Sequence, residues 1–205
     1  MQNPKKINDP KIVMAVLAGA IALSLLFSWL IMAVYVKHDT NAMVRKLAGF
    51  FPVAKVGSET ISFSDYLVAR DAIETFLKSE AVQQAGGGQT MDATMEKNAY
   101  ERLIHEAAVR DMAKKKSVAM TDDEVLKMYQ GYVEMASSTV PDVSKYLKDT
   151  FNWTEAEYRE AVVKPQLLEE KLANSYGSTT DDYAKYDEEL NKRVADSDVK
   201  RYLRF

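Results

Sequence analysis

The sequence predicts a mainly α-helical protein in which an N-terminal transmembrane helix precedes a multi-helix domain with a small β-hairpin paired with a C-terminal strand. Three observations predict this. Ile12 to Val36 is a run of 25 residues without a charge. Beyond it, apolar residues recur every three or four positions, in segments opened by Ser/Thr-x-x-Asp/Glu capping boxes. Only two short stretches, Val53 to Ser62 and Val199 to Phe205, have strand character, and they lie at opposite ends of the helical part.

The elements follow in order. At about 1.5 Å per residue the uncharged run reaches roughly 37 Å, enough to cross a ~30 Å hydrocarbon layer with some tilt. Trp29 and Tyr35 stand toward its end, where amphipathic rings favour the interface, and Lys11 and Lys37 bracket it. A cleaved signal peptide would have an apolar region of only about 7–15 residues followed by a small-x-small site. This run is longer, and no such site precedes Lys37, so an anchor is expected. Lys5, Lys6 and Lys11 on one flank nearly balance Lys37, Arg45, Lys46 and Lys55 on the other, so charge does not set the orientation.

His38 to Phe51 reads as a helical stalk ending before Pro52. Val53 to Val56 and Thr60 to Ser62 flank a Gly57-Ser58-Glu59 turn and read as a hairpin. Ser62 with Asp65 caps the next helix, whose Tyr66, Ile73, Phe76, Leu77 and Ala81 form one stripe. Gly86, Gly87, Gly88 and Gln89 break it. A longer helix covers Asp92 to Lys116, with Tyr100, Leu103, Ile104, Ala107, Ala108 and Met112 on its apolar face and three lysines where cations suit the helix dipole. Thr121 to Glu124 is a capping box, Val143 to Thr150 a short helix, and Thr154 with Glu157 caps a helix running to about Tyr176. Pro165 predicts a kink there or a break near Lys164, and Gly177 a stop. Thr180 to Ala195 is charged and helical in pattern. Val199 to Phe205 alternates as an edge strand.

Composition narrows the chemistry. Cysteine is absent, which excludes disulfides, thiolate zinc sites and a cysteine nucleophile. The chain carries a net charge of −3, and residues 37–205 carry 24 basic and 29 acidic side chains, so no basic field invites nucleic acid. His38 and His105 are the two histidines, too few and too scattered for a metal cluster, and no G-x-S-x-G elbow occurs. The Gly86 to Gly88 run lacks the Gly-Lys-Ser/Thr of a phosphate loop and follows a helix. Asn152-Trp153-Thr154 fits a glycosylation sequon, but Thr154 is already assigned to a helix cap. No cofactor is expected. What remains is adaptable apolar side chains: Met43, Met91, Met95, Met112, Met120, Met128 and Met135, with ten of the eleven tyrosines, lie beyond the anchor. Most of these fill a core, as expected for Met112, Met128 and Tyr129. Those near loops or helix ends are freer.

Three stretches carry a resemblance. Val53 to Tyr66 (VAKVGSETISFSDY), Leu103-Ile104-His105-Glu106 leading through Lys114 to Lys116 into Thr121 to Val125, and Trp153 to Arg159 continuing to Gln166 through Leu172 resemble, in order and spacing, the N-terminal chaperone module of the SurA family. That module is shared with membrane-anchored PpiD and the lipoprotein PrsA, and is related in fold to the trigger factor substrate-binding domain. The match covers about Val53 to Tyr176, and Val199 to Phe205 corresponds to the C-terminal segment that completes the module in SurA. One departure matters: a parvulin-type isomerase domain normally follows this helix, whereas 29 residues remain after Tyr176. Isomerase activity therefore does not carry over, and no enzyme is expected.

The resemblance implies a domain organisation. It comprises a cytoplasmic tail (1–11), a transmembrane helix (12–36), a juxtamembrane linker (37–52), a SurA-like extracytoplasmic domain (53–177) and a C-terminal helix with closing strand (178–205). It also implies a membrane-anchored, ATP-independent holdase for unfolded or newly exported polypeptides. By their place near loops or helix ends, Tyr66, Met91, Met95, Met120, Tyr146 and Phe151 are the residues expected to touch clients. An envelope scaffold with one dedicated partner, or a non-catalytic companion of a parvulin-type isomerase, are the alternatives.

Overall fold

The structure, a computed structural model, describes residues 10–84, 86, 90–195 and 199–205. The 1–9 tail and the Gly87 to Gln89 part of the expected glycine loop lie outside the described residues. The architecture is mainly helical with one small antiparallel sheet, as the sequence predicts.

Helix α1 (Pro10–Tyr35) is the apolar run, and its Val16–Tyr35 stretch is long and apolar enough to cross a membrane. The stalk differs from expectation. Only α2 (Ala42–Ala48) is helical, because the chain turns between Val36 and Asn41 with His38 at φ 47°. Asn41 then restarts the helix: its side-chain oxygen accepts the Val44 N–H at 2.9 Å. β1 (Pro52–Val56) and β2 (Glu59–Ser62) form the hairpin. The closing strand β3 (Val199–Arg201) pairs with β1, so β1 is central in the order β2-β1-β3. Val56 faces Glu59 on one side and Val199 on the other. The edge strand is shorter than expected; after Arg201 only the Tyr202 N–H still reaches the sheet, at Val53 O, 3.0 Å away.

The helical part comprises α3 (Phe63–Lys78), α4 (Glu80–Gln84), α5 (Ala93–Lys115), α6 (Asp122–Ala136), α7 (Val143–Phe151), α8 (Glu155–Tyr158), α9 (Lys164–Asn174) and α10 (Thr180–Ala195). Capping boxes open α3, α6 and α8, with Ser62–Asp65, Thr121–Glu124 and Thr154–Glu157 each exchanging side-chain and backbone hydrogen bonds. The expected break near Lys164 does not occur. A π-helical turn (Arg159–Val163) joins α8 to α9, and the Lys164 N–H bonds back to Arg159 O. A regular turn would drive the Pro165 ring into the carbonyl of residue 161; the widened turn seats it.

Helix α5 is the axis of the fold. It buries the expected face, including Tyr100, Leu103, Ile104, Ala107, Ala108 and Met112, against α3, the sheet, α9 and α10. The Tyr100 hydroxyl donates to Val53 O at 2.8 Å. The same core takes in Leu30, Ala33 and Val34 from the end of α1 and Leu203 from the C-terminus. A second, smaller core of Val125, Tyr129 and Val163 joins α6 to the π turn, with Met120, Met128 and Tyr158 half-buried around it.

One polar node locks the hairpin turn to the C-terminal helix. Asp111 on α5 is buried and accepts from the Ser58 N–H (2.9 Å), the Ser58 hydroxyl (3.1 Å), Lys115 (2.9 Å) and Arg193 of α10. Burial pushes its carboxyl up, and these donors together outweigh that effect and hold it well below the usual carboxylate range. Gly57 is required beside it. Its φ is +55°, and a Cβ there would lie 2.3 Å from the Asp111 carboxylate.

Candidate functional site

An open apolar surface in the helical part is built where α7 ends. Asn152 adopts the left-handed conformation, φ 58°, and its N–H returns to Lys148 O while the Trp153 N–H returns to Leu147 O. This stop turns the chain so that Trp153 stacks on Phe151, with ring centroids 5.6 Å apart. Phe151 in turn stacks nearly parallel on Phe76 of α3 at 5.7 Å and meets the edge of Tyr146 at 6.3 Å. Trp153 leads on to Tyr158 (6.5 Å), and Tyr158 to Tyr129 (6.2 Å). Six rings thus form a ladder from α3 to α6, and Phe76 and Tyr146 are 39% and 43% exposed.

Beside the ladder runs a groove of about 500 Å³ between α3, α5 and the α8–π segment. Val68, Ala69, Leu103, Trp153, Ala156 and Ala161 supply its apolar lining. Charges line its rim: Asp65, Glu106, Glu157 and Glu160 against Arg102 and Arg110. Glu106 sits lowest; burial pushes its carboxyl up, against the pull of Arg102 and Arg110. The groove shares Glu106, Arg110 and Glu160 with a smaller hollow of about 210 Å³ that reaches Met120, Pro165 and Leu168. A broader trough of about 700 Å³ between α6 and α7 mixes polar groups such as Gln130, Glu134 and Asp142 with apolar ones such as Val133, Val140 and Pro141.

The residues expected to touch a ligand divide. Tyr146 and Phe151 stand on the ladder, and Met120 lines the adjoining hollow. Met91 and Met95 are half-buried at the start of α5 and line neither groove nor hollow. Tyr66 is a correction. It is fully buried, packed on Phe63 and Tyr100, because α3 turns both its sheet-facing and its α5-facing sides inward. Sequence reasoning missed Trp153, Val68, Ala156 and Ala161, and assigned Phe76 to the buried stripe. The signal was present: aromatics at 146, 151, 153 and 158 bracket a helix stop. His105 pairs with Glu169 at 3.0 Å, a helix-to-helix contact.

The arrangement offers contact area: a continuous run of rings, an apolar floor and charges of both signs at its edge. Aromatic faces of this kind accept varied side chains with little loss of rotamer freedom. Such a mainly helical domain, closed by a hairpin and a returning strand and tied to an apolar span, defines the structural class. Comparison with known families makes it specific: the chain matches the SurA-like N-terminal domain over residues 2–173, and it belongs to that family. No curated protein and no solved structure matches the chain.

Proposed function

We propose that the protein is a membrane-anchored, extracytoplasmic, ATP-independent holdase that binds unfolded or newly exported polypeptides along the aromatic ladder and the adjoining groove. α1 holds it in the bilayer, with the N-terminal tail on the cytoplasmic side and the helical domain outside. The observation that carries the reading is the open ring ladder from Phe76 to Tyr158 lying beside an apolar groove. Family membership supports it.

Binding on this surface is weak and reversible by construction. At roughly 25 cal/mol per Å², covering ~150 Å² of apolar area yields only about 4 kcal/mol before ordering costs. Anchoring compensates, because a tethered domain meets chains emerging at the same membrane at high effective concentration. The charged rim accommodates polar residues that alternate with apolar ones in an extended segment. The protein acts without chemistry, as a contact surface and not as an isomerase.

The test uses the full chain in phosphatidylcholine/phosphatidylglycerol nanodiscs, mixed with a chemically denatured, aggregation-prone protein and followed by light scattering without nucleotide. Suppression at near-equimolar ratio is expected. No suppression, together with capture of one stoichiometric folded partner, would establish the scaffold alternative instead. Prolyl isomerisation is expected at the background rate.

A further inference from the structure

The end of α1 is not a free tether. Earlier in the helix Leu23 and Leu25 are 68% and 67% exposed, whereas Leu30, Ala33 and Val34 are 5%, 2% and 0% exposed inside the domain core. Tyr35 donates its hydroxyl to Pro52 O at 2.9 Å and stacks on Phe51 at 6.2 Å. Phe27, two turns earlier, also reaches Phe51, at 5.5 Å. Helix α1 and the start of the sheet are thus fastened together along about the last third of the helix.

That attachment fixes how deep the domain sits. A ~30 Å hydrocarbon layer accommodates about 20 helical residues. Counted from Lys11, it ends near Ile31. Phe27 then lies about 6 Å inside the apolar boundary by helical rise. Phe51 touches both Phe27 and Tyr35, and Tyr35 lies about 6 Å beyond that boundary by the same count, so the Phe51 ring is held near the boundary itself. Phe50, next in sequence, packs edge-on against Phe51 at 5.0 Å and is 74% exposed, the most exposed phenylalanine among the described residues. Met43 of α2 is 56% exposed, on the helix that packs against α1. Exposed Lys46 lies a turn beyond Met43, and exposed Lys37 follows α1. Exposed apolar side chains close to the level where acyl chains meet headgroups, with lysines beside them, match the lipid–headgroup boundary.

We infer that the α2–β1 corner, with Phe50 at its tip and Met43 beside it, inserts into the outer leaflet of the same bilayer that α1 crosses, so that the domain lies against the membrane. The occupant of this exposed patch is lipid. The inference rests on α1 being an anchor, and it goes further by placing a second contact, outside α1, on the membrane.

Because the chain has no cysteine, single reporters are clean. Phe50→Cys, Met43→Cys, Leu23→Cys and Met135→Cys are each labelled with a nitrobenzoxadiazole dye, in full-length chain reconstituted into phosphatidylcholine/phosphatidylglycerol vesicles. Quenching by lipids carrying a nitroxide at shallow or deep acyl positions is then compared. Leu23 reports the anchor, and Met135, 71% exposed on α6, reports water. At positions 50 and 43 the shallow nitroxide should quench at least twofold more than at 135, while position 23 responds to the deep one. If position 23 is quenched and both 50 and 43 behave like 135, the corner is not inserted and the inference falls while the anchor stands. If position 23 is not quenched, the anchor reading falls and takes the inference with it. The Met43 reporter retains Phe50, so loss of insertion through the Phe50 substitution itself is detected as a difference between the two.

Discussion

Replacing Asp111 tests how the C-terminal segment is held. Asp111→Ala removes one carboxylate that serves Ser58 in the hairpin turn, Lys115 on its own helix and Arg193 on α10. The Asp111 and Arg193 side chains are 2% and 14% exposed, so water replaces little of what is lost. Removing one member of a buried ion pair costs about 3–5 kcal/mol, a large share of the ~5–15 kcal/mol by which domains are stable. For a chain of this size each kcal/mol moves Tm by about 2–4 °C, so a fall of roughly 6–12 °C is expected at the low end of that range. The assay is thermal unfolding of the full chain in dodecylmaltoside, followed by circular dichroism. A depressed folded-state pKa stabilises above the unfolded value, near 3.9, and that contribution disappears as pH falls. The gap between wild type and Asp111→Asn should therefore be constant from about pH 5 to 8 and close below about pH 4. A Tm loss under ~2 °C for Asp111→Ala, or a gap indifferent to acid, would refute the reasoning.

Three further outcomes are expected. Phe151→Ala with Trp153→Ala removes the middle of the ladder; client holding should weaken about five- to tenfold in a fluorescence titration while circular dichroism stays unchanged. Leu172→Ala, at a fully buried site between α9 and α5, should cost about 2–5 kcal/mol by urea titration without altering client specificity in the folded fraction. His38 is packed on Phe205, and burial pushes its pKa down despite Glu96. Its neutral form is favoured by folding, so stability should decline as pH falls below about 6.5, and His38→Gln should blunt that decline in a pH series of thermal melts.

Local chemistry was readable wherever a few neighbouring residues decide the outcome. The boxes at Ser62, Thr121 and Thr154 place three helix starts, because each is closed by a carboxylate three residues on. The pairing of β3 with the hairpin was also legible, since two lone strand patterns had only each other to satisfy their backbones. Features set by distant contacts were not. Asp111 looks like any helical carboxylate until Arg193, 82 residues away, arrives beside it. Leu30, Ala33 and Val34 have the same apolar character as their exposed neighbours in α1, so hydropathy alone does not mark which of them enter the core. Of the stripe on α3, Tyr66 is buried and Phe76 part-exposed, because α5 and the sheet cover one side of α3 while α7 leaves part of the other open. Pro165 reads in sequence as a kink or a break, and the π turn absorbs it.

The groove itself is best tested by asking what it touches. Carrying p-benzoylphenylalanine in place of Val68, which is 50% exposed in the groove, the full chain in nanodiscs is irradiated with a reduced, permanently unfolded protein. Tyr183 on α10, also outward-facing, carries the same group as a control. The account predicts strong adducts from position 68 with the unfolded chain, few with its native form, and few from position 183. Equal labelling from both positions, or none from position 68, would contradict it.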